Sequence, residues 1–199
     1  MGDPSGQLHR TGHHHEEGRH RPHATLSVFA VGIGALFLWE YRSKAQLEAQ
    51  VEDYLGACDL SPTAMDVRGR PYILSAMSDR AELTYVDIAP QPGMTKDQLL
   101  IQELKDGSAE RVRRFVTFAY PSQDAAPITE SDGSFSDRAR IDGTPVTFSG
   151  TAADGTLTVF ADGRPMGELR LPRDVALRGV FANEAGVAAE LEYAANLCG

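Results

Sequence analysis

After residue 23 this chain contains no histidine. All six, His9, His13, His14, His15, His20 and His23, lie at the N-terminal end. A Ser-His-Asp or Cys-His nucleophile, a histidine general base and a histidine-ligated zinc all need an imidazole that the rest of the chain does not have. Lysine is nearly as scarce: from residue 45 onward there are only Lys96 and Lys105, and neither sits beside an obvious nucleophile. What remains for catalysis is carboxylate pairing. Asp124 with Glu130, or Asp132 with Asp137, are the candidates, but short Gly/Ser/Asp segments of this kind are usually solvated turns. No catalytic residue, no metal and no cofactor is expected, and the chain is not read as an enzyme.

Cysteine is also rare. Cys58 and Cys198 are the only two, near the two ends of the segment that begins at residue 45. In an oxidising compartment a bridge between them would close a loop of about 140 residues, for which the chain-entropy model gives up to about 5 kcal/mol. In a reducing one they would be two free thiols. Positive charge is short as well, with 19 Lys and Arg against 28 Asp and Glu and a net charge of -9. Residues 1–45 hold five basic and four acidic residues, which leaves fourteen against twenty-four for the remainder. So acidic a body excludes nucleic-acid binding, which needs Lys/Arg patches to neutralise phosphates. Purely electrostatic docking on anionic lipid is disfavoured for the same reason.

What is present falls into three segments. Residues 1–23 are polar, without apolar periodicity, and read as a disordered cytoplasmic tail; a cloning remnant or a weak metal site are the other readings of His13, His14 and His15. Then comes "ATLSVFAVGIGALFLW", Ala24–Trp39, sixteen residues without a charge. At 1.5 Å per residue it spans about 24 Å, slightly less than the ~30 Å hydrocarbon core. Trp39 and Tyr41 suit the interface, and Arg19 and Arg21 before the run favour a cytoplasmic N-terminus. Residues 24–41 therefore read as a single-pass transmembrane anchor, with a cleaved signal whose best site is Ser43-x-Ala45 as the competitor and a soluble core helix, for which no polar residue marks a solvent face, as the third reading. The rest, 45–199, would be an extracytoplasmic, β-rich domain.

That domain opens with "AQLEAQVEDYL", whose Leu47, Val51, Tyr54 and Leu55 lie at helical spacing. Gly56 and Pro62 end the helix. Most of the chain beyond Pro62 alternates with a period of two. Val146 with Phe148, Leu157 with Val159 and Ala161, Leu169 with Leu171, and Val187 with Ala189, Leu191 and Tyr193 read as strands. Asp-Gly pairs at 106–107, 132–133, 142–143, 154–155 and 162–163 mark the turns between them. The class is α+β, mostly antiparallel: a curved meander sheet wrapped on one or two helices, preceded by the transmembrane helix. Some strands are apolar on both faces. Leu83 and Tyr85 oppose Val86 and Ile88, and Phe160 opposes Leu157 and Val159. Such strands are sandwiched or form a cavity wall.

The stretch "VRGRPYILSAMSDRAEL" adds a specific pattern. Gly69 permits a sharp turn, Pro71 fits the first turn of a short helix, and Ile73, Ala76, Met77 and Arg80 share one side of it beside Tyr72. A helix, a strand running into Gly69-Arg70-Pro71-Tyr72-Ile73-Leu74, a short helix and an alternating strand together resemble the LmeA-like phospholipid-binding family of actinobacterial cell envelopes. The closing stretch "LPRDVALRGVFANEAGVAAELEYAANL", Leu171–Leu197, is similar to that family's final hairpin. Arg70 departs from the pattern, since an aromatic residue is usual there. The resemblance implies a tubular lipid-binding-like fold, a curved sheet around helices with an elongated apolar groove, and a role with phospholipid or in envelope glycolipid assembly.

The surplus apolar faces and this resemblance lead to one expectation. The chain is a membrane-anchored extracytoplasmic lipid-binding protein. The acyl chains of a phospholipid or similar lipid would lie along Tyr72, Ile73, Met77, Leu83, Tyr85, Phe115, Phe118, Phe148, Phe160 and Phe181. An envelope protein is a possible further partner. The alternative is an anchored, non-enzymatic scaffold or interaction module, which needs no groove.

Overall fold

A computed structural model describes residues 23–172, 174–194 and 197, with side chains from residue 33 onward. The tail expected over residues 1–23 falls almost wholly outside these. Helix α1 runs without interruption from His23 to Gly56, so the apolar run and the amphipathic segment share one helix. The chain divides into two compact units between Phe37 and Leu38, and every strand belongs to the second. No helix among the described residues is long and apolar enough to cross a membrane. The expected span begins at Ala24, before the residues whose side chains are described, and lies mostly outside that statement. Leu47, Val51, Tyr54 and Leu55 are all buried, as their spacing predicts.

After α1 come β1 (Pro62–Arg68), α2 (Tyr72–Met77), β2 (Arg80–Ile88), β3 (Met94–Lys105) and β4 (Ser108–Phe118). Next are β5 (Ala125–Thr129), β6 (Phe135–Ile141), β7 (Thr144–Ala153), β8 (Thr156–Ala161) and β9 (Arg164–Arg170). The chain closes with β10 (Val175–Asn183) and β11 (Gly186–Tyr193). All pairings are antiparallel. The expected single meander is two sheets: β1-β2-β3-β4-β11-β10 and β5-β6-β7-β8-β9. The second is inserted whole between β4 and β10, and its β6 and β7 lie against β10. A period of two fixes how each strand is faced but not which strand its outer edge will meet.

The turns are as the dipeptides dictate. Asp106-Gly107, Asp142-Gly143, Asp154-Gly155 and Asp162-Gly163 have positive φ at both residues, from 45° to 78°. That is the geometry that matches the twist of a two-residue hairpin. Asp132-Gly133 lies in the longer β5–β6 connection, with only Gly133 at positive φ, 85°.

The core gathers the buried face of α1 with Val67, Val86, Leu99, Ile101, Val112, Val116, Val187, Ala189 and Leu191 of the first sheet, and with Phe148, Leu157, Val159 and Leu169 of the second. At the junction Phe118 of β4 lies on the backbone of Gly167 in β9. A Cβ at Gly167 would overlap its ring, so this approach requires glycine.

The Gly-Arg-Pro step forms its expected turn, with Gly69 at φ 121° and α2 starting directly after Pro71. Its buried face differs from the expected one. Tyr72 and Ser75 point inward, while Met77 is 74% exposed and Leu74 62%. The reason is Glu40 of α1. Its carboxylate accepts the N–H groups of Tyr72 (2.8 Å) and Ile73 (3.1 Å), two of the donors a helix start leaves open. The Tyr72 hydroxyl donates to Val67 O at 3.0 Å. These bonds turn the tyrosine inward and leave the Leu74–Met77 side to solvent.

At the far end of the chain the Leu197 N–H donates to the buried Tyr54 hydroxyl at 3.3 Å. Burial pushes the Tyr54 phenol upward, and the Leu197 bond partly offsets this. A group whose folded pKa is raised stabilises the fold below its unfolded value and loses that contribution as the pH climbs through the folded one. Stability should thus fall above about pH 10. In urea titrations the Tyr54→Phe chain should lose less over that range, and an identical alkaline loss would contradict the assignment. Cys58 stands one helical turn beyond Tyr54, with its sulfur 3.6 Å from Tyr54 O. Cys198 lies outside the described residues; its described neighbour is Leu197, bonded to Tyr54. Peptide mapping without reduction is expected to recover a Cys58–Cys198 linked peptide; two freely alkylated thiols would count against the bridge.

Candidate functional site

The residues expected to line one groove are dispersed. Phe118 and Phe148 are 3% and 1% exposed and fill the interior between the sheets, with Phe148 6.0 Å from the Tyr120 ring. Tyr72 is buried beneath α2, and Ile73 is half-buried on it. Met77 faces solvent. Leu83 and Tyr85 lie on the outer face of β2, where the Arg68 guanidinium sits 5.0 Å from the Tyr85 ring. Phe160 is half-buried on β8. Alternation told correctly that β2 has two apolar faces, but only Val86 and Ile88 face the core.

Two of the ten, Phe115 and Phe181, do meet. They line an open groove of about 560 Å³ on the outer face of the first sheet, together with Phe135, Lys96, Gln98, Thr117 and Ala188. Register explains it. Lys96, Thr117, Ala188 and Phe181 pair in succession across β3, β4, β11 and β10, so all four project to the same side. Gln98, Phe115 and Glu190 form the adjacent row. Ala188 is small, so the sheet is low between Thr117 and Phe181, and the larger rings stand around the depression. Asn183, Glu184 and Ala185 of the β10–β11 hairpin form its rim. Phe135, the first residue of β6, comes from the other sheet and is 45% exposed. A recess of about 640 Å³ near Asp154, Gly155, Thr156, Arg170 and Leu171 is larger. It is bounded mostly by polar turn and strand-end residues with no ring, which makes it the poorer candidate for an apolar ligand.

Directly beneath the groove, on the inner face of the same strands, lies a buried ion pair. Arg114 Nε donates to Asp97 Oδ1 at 2.8 Å and its Nη2 to Oδ2 at 2.6 Å. Its Nη1 reaches the Tyr193 hydroxyl at 3.4 Å. The side chains are 10% and 1% exposed. Burial alone would lower the Arg114 pKa, but the hydrogen bonds and charge of Asp97 outweigh it, and the guanidinium is held more firmly charged than usual. The pair ties β3 to β4, and Tyr193 adds β11: the three strands that form the groove floor. The outer face is otherwise a charge ladder, with Arg113–Glu190 at 3.2 Å and Arg178–Glu192 at 2.8 Å.

The carboxylates singled out in the sequence are turn and surface residues. Asp132 accepts the Ser134 hydroxyl (2.6 Å) and N–H (2.9 Å), which hold its carboxyl below the usual range. Glu130 pairs with Arg138 at 3.5 Å, the Asp124 carbonyl accepts the Asp142 N–H at 2.8 Å, and Asp137 is exposed on β6. Among the described residues no group of three or more His, Cys, Asp or Glu is placed to hold a metal ion. No family model matches the chain, and neither a curated protein nor a solved structure does.

Removing one partner of a buried pair strands the other charge, at a cost of about 3–5 kcal/mol. Asp97→Ala is therefore expected to lower the stability of the full chain by that amount in urea. Pairing Asp97→Leu with Arg114→Met should restore most of it. A single variant within ~1 kcal/mol of the parent would show the pair to be dispensable.

Proposed function

We propose that this chain is a membrane-anchored, extracytoplasmic protein that binds the acyl chain of a phospholipid in the open groove of Phe115, Phe135 and Phe181. The observation that carries this reading is the convergence of three phenylalanine rings from three strands on one depression with a small residue at its floor. Each methylene buried there contributes about 0.8 kcal/mol, and no catalytic group is required. The rim offers Lys96 as a cation and Glu184 as an anion, the complement of a zwitterionic headgroup. The uncharged run Ala24–Trp39 and the resemblance of the Gly69–Leu74 motif to LmeA-like proteins support the same reading.

One observation favours a second reading, an anchored scaffold without a lipid. Phe118 and Phe148 occupy the interior where an elongated groove was expected, and the core there is filled. Native mass spectrometry of the full chain in mild detergent separates the two. The parent is expected to retain a phospholipid that Phe181→Asp loses; the anchor is common to both, so the difference belongs to the groove. Equal retention by the two chains, or none by the parent, would remove the lipid-binding reading in favour of the scaffold.

A further inference from the structure

Leu38, Trp39, Tyr41, Leu74 and Met77 are large apolar side chains left between 55% and 74% exposed. They come from two separated parts of the sequence, and Glu40 links the first part to the start of α2. Trp39 is the last residue of the uncharged run. The next residue is Glu40, whose carboxylate holds the N–H groups of Tyr72 and Ile73. The first turn of α2 therefore stands within about one helical turn, 5.4 Å, of the point where the apolar run ends.

That distance has a physical meaning if Ala24–Trp39 spans a bilayer, as proposed above and on which this step rests. The polar layer on each side of the hydrocarbon core is roughly 5–8 Å thick. Trp and Tyr collect in that layer, and Trp39 and Tyr41 bracket Glu40. We infer that the first turn of α2 docks into the headgroup layer, with Leu74 entering it and Arg70 meeting lipid phosphate. Leu74 and Met77 lie opposite the buried Tyr72 and Ser75, so the side presented outward is the apolar one. Arg70 is exposed just before the helix, with its guanidinium 5.7 Å from the Tyr72 ring and no carboxylate paired with it among the described residues. Its stem can lie along the apolar surface while the charge reaches phosphate. The other end of α2 points away from the layer. The Asp79 carbonyl accepts from Gln50 Nε2 at 3.1 Å, and Gln50 is ten residues, about 15 Å, beyond Glu40 on α1. Docking is thus confined to the helix start.

Trp39 is the only tryptophan, which makes emission a clean reporter. The full chain is reconstituted in vesicles of phosphatidylcholine and phosphatidylglycerol brominated near the carbonyl end of the acyl chains. Parent Trp39 and the indole introduced by Leu74→Trp in a Trp39→Phe background are both expected to emit to the blue and to lose most of their emission to bromine. Protected Trp39 with a water-like, unquenched indole at position 74 would overturn the docking and leave the anchor standing. Water-like emission from Trp39 itself would remove the anchor, and the docking with it. Photo-crosslinking of the unaltered chain to a phospholipid bearing a headgroup diazirine provides a second measurement that needs no substitution. Adducts are expected on the peptide that carries Arg70 to Arg80, and adducts confined to Ala24–Trp39 would overturn the inference.

Discussion

Arg114 has one place to put its charge. It sits on the core face of β4 between Val112 and Val116, both 1% exposed or less, and a lone guanidinium there would be prohibitive to bury. Asp97 on β3 resolves this with two short hydrogen bonds, and Tyr193 on β11 takes part of what is left. The three strands that contribute these groups also contribute the floor of the aromatic groove on the opposite face. A one-residue slip of β4 would turn Arg114 outward and Phe115 into the core. The pair therefore specifies which face the phenylalanine occupies, whatever its net contribution to stability.

The two helices are positioned by a similar logic on a smaller scale. A six-residue helix has little stability of its own, because the nucleation cost is spread over few hydrogen bonds. Glu40 offsets part of that by accepting two amides at its start, and a tyrosine hydroxyl pins its buried side. The result is a short helix whose start is held to α1 at Glu40, the residue between Trp39 and Tyr41 in the sequence. The same anchoring decides which of its apolar residues are buried and which are presented.

Much of the fold was legible. The Asp-Gly pairs gave the β3–β4 turn and every turn from β6 through β9, because positive φ at two successive residues is a demand few dipeptides meet, and Asp132-Gly133 marked the longer β5–β6 connection. Leu47, Val51, Tyr54 and Leu55 gave the buried stripe of α1. The groove was harder. Phe115 and Phe181 share a face only because β11 returns from the chain end to pair with β4, and no local pattern announces that. Phe135 comes after a turn in the polar segment "SFSDRAR" with no apolar partner two residues away. Phe118 and Phe148 were misplaced because alternation cannot say that a second sheet will cover the strand. The ion pair left a usable signal. Arg114 keeps the parity of Val112 and Val116, and Asp97 that of Leu99 and Ile101, so two opposite charges stood in core positions of adjacent strands.

The insertion of β5–β9 between β4 and β10 has a consequence in time. The five inserted strands pair only with sequence neighbours, so they can assemble as soon as they leave the ribosome. The first sheet cannot. Its β4 edge waits for β11, where Val187 meets Phe118 sixty-nine residues later. Until then the outer edge of β4 is open, Tyr193 is absent from Arg114, and Ala188 has not yet made the floor between Thr117 and Phe181. The grooved face thus comes into existence last, and a chain cut short before Gly186 would lack β11 and with it the groove floor.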